Sequence, residues 1–120
     1  MSNNVGRYCF LAKMSLHMQF KIVRWGRSTT PTASALQAQL LKEGLFPYDW
    51  TNAPGDTYAP HVHDYDKVII VVRGSITWGL PETNQTVETH AGDRLELPRG
   101  TWHAAEVGPE GVACLEGHIG

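Results

Sequence analysis

Residues 55–74 read GDTYAPHVHDYDKVIIVVRG, and residues 92–107 read GDRLELPRGTWHAAEV. In both, short runs rich in Val, Ile, Leu and aromatic residues are bounded by Gly, Pro and Asp, which is how strands between tight turns are written. The same texture extends outward from residue 46: FPYDW, SITWGL, QTVETH and VACLEGH, separated by APG, Gly74, PETN, AGD, PRG and GPEG. Strands at this regular spacing, with no helical pattern between them, predict an all-β sandwich or barrel and exclude a parallel α/β sheet. Val68–Val72 is apolar at five consecutive positions. It predicts a strand buried on both faces, or one whose outer face meets another chain.

Upstream, Thr30 or Thr32 can cap a helix and Pro31 suits its first position. Ala33, Leu36 and Leu40 then recur at helical spacing and Gly44 is placed to end it, so one short helix is expected over 32–43. In residues 10–22, Phe10, Ala12, Met14, Leu16, Met18, Phe20 and Ile22 alternate with mostly polar residues. This reads as an extra half-buried strand in an N-terminal arm, residues 1–19, or as a leader ahead of a start at Met14 or Met18. Residues 20–120 are then a single domain.

Composition narrows the function. The 120 residues carry 10 Lys plus Arg against 12 Asp plus Glu, a net charge of −2. That balance argues against a partner recognised through phosphates, and no nucleic-acid binding is expected. No apolar run approaches the roughly 20 residues that span a bilayer, so no membrane insertion is expected and a cytoplasmic location is the default. Cys9 and Cys114 lie far apart outside any CxxC motif and read as free thiols, Cys114 buried. Charged residues are only 18% of the chain, which points to surface hidden in a partner. No dinucleotide-binding, phosphate-loop or serine-hydrolase motif is present.

The chemistry lies in the histidines, six in all. His61 and His63 sit two apart, and on a strand both imidazoles enter one cavity. His103 follows in PRGTWHAA. Histidine nitrogens grouped this way are transition-metal ligands. The remaining His17 and His90 read as surface residues. Glu116 and His118 share parity on the last strand and face inward in that reading. Arg73, Arg94 and Arg99 read as solvated. Tyr58, three residues before His61, should face away from it unless Pro60 breaks the alternation.

The spacing Gly55-(five)-His61-Val62-His63-(three)-Lys67-(six)-Gly74, followed by Gly92-(five)-Pro98-Arg99-Gly100-(two)-His103, resembles the two motifs of the cupin superfamily. The resemblance covers about residues 44–118. It implies a small jelly-roll β-barrel of the RmlC-like type with one short N-terminal helix, and a homodimer. It also implies one divalent transition metal (Fe, Zn, Ni, Co or Cu) held by His61, His63 and His103, and a small-molecule ligand. Two positions depart from the pattern: Lys67 stands where the family usually has a Glu ligand, and Val107 where an Asn is frequent. Lys67 leaves three arrangements open: metal on three His alone, Asp64 or Asp66 approaching in place of the missing carboxylate, or an anionic ligand with no metal.

The function expected is a metal-binding cupin acting on a small anionic or oxygen-rich metabolite, with Lys67 and Tyr58 as catalytic candidates. If catalytic, it is of dioxygenase or isomerase type. The alternatives are a non-catalytic binding or sensing module and a metal-free epimerase using a His base and a Tyr acid.

Overall fold

Two long antiparallel strands, β4 (Asp66–Leu80) and β7 (His103–Ile119), pair along nearly their whole length and form the spine of the protein. A computed structural model describes residues 18–120. The other elements in chain order are β1 (Lys21–Val23), helix α1 (Ala33–Lys42), β2 (Tyr48–Asn52), β3 (Thr57–His61), β5 (Gln85–His90) and β6 (Arg94–Leu97).

The other strands attach to the spine in two groups. The first half of β4 pairs β6, which pairs β1, and the second half of β7 pairs β2, giving the order β1-β6-β4-β7-β2. The second half of β4 pairs β5 and the first half of β7 pairs β3. Two register shifts in β4, at Val71/Arg73 and Gly74/Ile76, separate the halves. Bulges bend a strand and strengthen its twist, so one sheet folds over on itself as two layers. This is a cupin-type jelly roll, all-β with one helix; its ladders do not close into a full ring among the described residues.

Gly74 sits at the bend with φ +80°, and a Cβ there would fall 2.0 Å from the Gly111 carbonyl oxygen. The sequence places turns at Gly74 and at 108–111. Instead, β4 and β7 each continue through a bend, because the glycines let the backbones approach while keeping their hydrogen bonds.

The inner core joins both layers: Ile69, Val71, Leu95, Leu97, Val112 and Cys114 from one, and Ile76, Trp78, Ala105 and Val107 from the other. Phe20 and Ile22 pack against it from the N-terminal side. Burial drives the Cys114 thiol up to about 12, so it is an inert apolar group there. A second cluster lies on the outer face, where Leu36 and Leu40 of α1, with Leu45, cover Val68, Ile70 and Leu115. The Val68–Val72 run is therefore buried by the chain's own helix, and this strand does not supply the expected partner surface. The helix begins as read, with Thr32 Oγ1 accepting from the Ala35 N–H, and ends at Gly44, φ +86°.

Arg94 is not solvated. It forks onto Glu43 at the end of α1 (2.7 and 2.9 Å) and bonds Glu96 at 2.9 Å, tying the helix to β6. The alternating arm of residues 10–22 falls largely outside the described residues. Of its described part, residues 21–23 form β1 on β6.

Asp93 anchors the entry of the chain to the sheet. Its carboxylate accepts the N–H groups of Trp25 and His90, both at 2.9 Å, and the Arg24 guanidinium at 2.8 Å. Burial opposes its ionisation, but these donors outweigh burial and hold the carboxyl below its usual range. A carboxyl depressed in the fold contributes stability above its unfolded pKa and loses it as pH falls through its folded pKa. Asp93→Asn should therefore cost about 1–3 kcal/mol near neutrality. The gap from the parent protein, read as thermal midpoints against pH, should close below about pH 4. Gly74→Ala should destabilise by at least about 1–3 kcal/mol through the left-handed backbone alone, measured by denaturant unfolding.

Candidate metal centre

His61 closes β3 and is the cross-strand partner of His103, the first residue of β7. His63 lies just past the end of β3, not on it. The i, i+2 argument nevertheless gives the right outcome. One possible ligand nitrogen from each of the three rings lies within 4.8 Å of the other two. The ring centroids are 4.2 Å apart for His61–His103, 4.9 Å for His61–His63 and 5.3 Å for His63–His103.

The turn that precedes His103 is stitched to the segment that carries His63. The Gly100 N–H donates to the His63 carbonyl at 2.9 Å, and the preceding Arg99 N–H donates to Asp66 Oδ1 at 2.7 Å. Two successive amides of one motif are thus held by the other, which fixes the separation of their histidines. Asp66 is committed to this stitch and does not approach the imidazoles as a substitute ligand. Asp64 is not among the clustered ligand groups either.

Two of the imidazoles are oriented by the backbone. His61 Nδ1–H donates to the Ala59 carbonyl at 2.7 Å, and His103 Nδ1–H donates to the Thr101 carbonyl at 2.8 Å. A carbonyl can only accept, so Nδ1 carries the proton and, in the neutral ring, Nε2 holds its lone pair. His103 is 2% exposed, and its Nε2 is a buried polar atom with no partner. Burial, reinforced by the charges of His61, Lys67 and His63, lowers the His103 pKa to about 4 despite the Thr101 contact. His63 is shifted the same way, by burial and then by Lys67 and His61. For His63 and His103 these shifts favour the neutral imidazole, the form that metal ligation requires. The residues present fit a borderline transition metal.

The rings open on a cavity of about 290 Å³. Trp50, Ile69, Trp78 and Ala105 form its apolar walls, with Tyr48, Tyr58 and Tyr65 also lining it. Tyr65 stacks on His63 (5.0 Å, 30°) and packs on His118 at 4.2 Å. Tyr58 does line the cavity, because the ladder slips between Tyr58 and His61 and cancels the odd offset. Its ring is 41% exposed, and its hydroxyl donates to Asn52 Oδ1 at 2.6 Å. That proton is already engaged, which weighs against Tyr58 as a general acid.

Lys67 also lines the cavity, only 7% exposed. Its ammonium lies 3.6 Å from Glu116 Oε2, and Glu116 is 5% exposed. Glu116 accepts three further bonds: from Tyr48 Oη–H at 2.8 Å, Trp50 Nε1–H at 3.0 Å and His118 Nε2–H at 2.6 Å. The inward parity of Glu116 was legible on the last strand. Tyr48 and Trp50, which alternate on β2 toward the same side, were not singled out from the sequence. Burial disfavours ionisation of both Glu116 and Lys67. For Glu116, Lys67 and the other donors outweigh it and the pKa is lowered; for Lys67 burial prevails and the pKa is lowered.

Comparison with known proteins agrees with this fold. The Cupin domain family model matches residues 48–117, and the chain belongs to that family. No curated protein matches. Among solved structures, the polyketide cyclase RemF of Streptomyces resistomycificus is similar at 25% identity and TM-score 0.56, over 62% of this chain and 54% of that one. An RmlC-like cupin of Shewanella frigidimarina is similar at 22% and 0.54, over 62% and 64%. KdgF of a Halomonas species is similar at 22% and 0.53, over 83% and 76%. The chain thus spans 54% and 64% of the lengths of the first two.

A buried carboxylate with four donors should be far harder to remove than the lysine facing it. Glu116→Leu leaves Lys67 as an uncompensated buried charge and should cost about 3–5 kcal/mol. Lys67→Met leaves Glu116 with Tyr48, Trp50 and His118 and should cost much less. Chemical denaturation of the two variants and the double variant tests this, with the double variant expected to be more stable than Glu116→Leu alone.

Proposed function

We propose that this cupin binds one divalent transition metal through His61, His63 and His103 and acts on a small oxygen-rich metabolite in the adjoining cavity. The observation that carries the reading is the orphaned Nε2 of buried His103, clustered with ligand nitrogens of two more imidazoles, all within 4.8 Å of one another. Leaving such an atom unpaired costs about 1–3 kcal/mol, and a metal would remove that penalty. When bound, the metal supplies Lewis acidity and open positions for an oxygen donor. The chain's own residues do the rest. Ala59 and Thr101 carbonyls fix the tautomers of His61 and His103. Tyr65 holds the plane of His63, and Trp50, Ile69 and Trp78 give the cavity its apolar walls.

The polyketide cyclase RemF supports a reaction on an oxygen-rich carbon skeleton, though the reaction itself is part of this proposal. The metal-free epimerase alternative is less well supported, since Tyr58 is tied to Asn52. The homodimer belongs to the same proposal, with its interface off the Val68–Val72 strand that α1 covers.

Elemental analysis after incubation with Fe, Ni and Zn salts should find about one metal per chain. His61→Ala and His103→Ala should each weaken binding by more than about 100-fold, beyond what loss of an outer partner does. A protein that takes up no metal, or whose uptake survives His103→Ala, would overturn the reading.

A further inference from the structure

A buried ion pair is seldom retained for stability, because apolar residues of similar volume do as well or better. Lys67 and Glu116 form one inside a cavity wall, beside three imidazoles. Glu116 is held from three strands, by Tyr48 and Trp50 of β2, Lys67 of β4 and His118 of β7. These bonds make it an anchor for Lys67. Lys67 is the opposite case. An ammonium has three N–H donors, and Glu116, at 3.6 Å, is its one ionic partner among the described residues. Donors remain at the cavity that Lys67 lines.

Charge then selects the ligand. Glu116 balances Lys67, and an imidazole that ligates a metal does so in its neutral form. A divalent ion held by three imidazoles therefore keeps both of its positive charges, which favours an anionic oxygen ligand. Shape selects it further. Trp78 is fixed by its Nε1–H on Thr89 Oγ1 at 3.1 Å, and Tyr65 is packed between His63 and His118. Rigid aromatic faces of this kind favour a flat guest.

We propose that Lys67 is a ligand-binding residue. Its ammonium, held in place by Glu116, donates to an oxygen of a small planar carbonyl compound bound as its enolate or carboxylate beside the three histidines. This rests on the metal reading above and adds to it the class of ligand and the residue that selects it.

The test loads the full-length protein and Lys67→Met with zinc, measures zinc content in each, and titrates both with tropolone by calorimetry. Tropolone is flat and binds metals as an enolate through two oxygens. Imidazole, a neutral ligand with no oxygen, is titrated in parallel. Both proteins should carry about one zinc, and imidazole should bind them equally. Tropolone should bind Lys67→Met at least about tenfold more weakly, the range expected for a lost hydrogen bond to a charged group. Lys67→Gln, which keeps a donor without the charge, should fall between. Equal tropolone affinity, an equal loss for imidazole, or loss of zinc from Lys67→Met would overturn the proposal. If the parent protein takes no zinc, the metal reading fails separately. Tropolone titration of the zinc-free proteins then decides the matter, and the same or no binding in both overturns the role of Lys67.

Discussion

The antiparallel ladder between β4 and β7 is the constraint on which everything else depends. It runs from Asp66–Ile119 at one end to Gly79–Ala104 at the other, and every strand except β1 hydrogen-bonds to one of its two members. Such a ladder cannot form two layers unless both strands bend together. The bend is possible because Gly74 and Gly111 bring two backbones closer than any Cβ permits. The bend separates β5 and β3 from β6 and β2 and turns the inner faces toward each other. The histidines sit at one end of this spine, with His103 at the start of β7 and His61 paired to it on β3. A stable site thus follows from the same pairing that makes the fold.

The region around that end is unusual in how its polar groups are distributed. Asp66 and the His63 carbonyl hold the amides of the 99–100 turn, Ala59 and Thr101 hold the Nδ1 protons, and Glu116 holds Lys67, Tyr48, Trp50 and His118. Nearly every buried polar group has a partner, as interiors demand. His103 Nε2 is the exception among the described residues. An exception surrounded by satisfied groups points to something the site is built to receive. The pull of buried positive charge on His63 and His103 acts in the same direction, by keeping them neutral.

Much of this was legible in the sequence, for identifiable reasons. Turn formers at fixed spacing marked the strands, and the Thr32 cap and Gly44 marked the helix, because both signals act locally. The three histidines were legible because His61 and His63 are neighbours in the chain and His103 follows a distinctive turn. What was missed depended on distant contacts. Gly74 and the 108–111 stretch read as turns, since a bend stabilised by another backbone leaves no local mark. The Val68–Val72 run was equally consistent with a partner chain or the protein's own helix. Arg94 read as solvated, because its acceptors Glu43 and Glu96 cannot be assigned from spacing. Lys67 stood as an anomaly until Glu116 was found 49 positions away. Tyr48 and Trp50 were absent from the candidate residues because β2 gives no clue to which face is inward.

Lys67, at the position where the resemblance implied a carboxylate, forms a buried pair with Glu116. Glu116 on the neighbouring strand balances the lysine, and among the described residues the three imidazoles form the cluster of possible metal ligands. The X-ray absorption spectrum of the zinc-loaded protein tests that account most directly. It should show only nitrogen and oxygen neighbours at about 2.0–2.1 Å, with the outer-shell scattering of three imidazoles. Sulfur at about 2.3 Å, or scattering from fewer than two imidazoles, would contradict it.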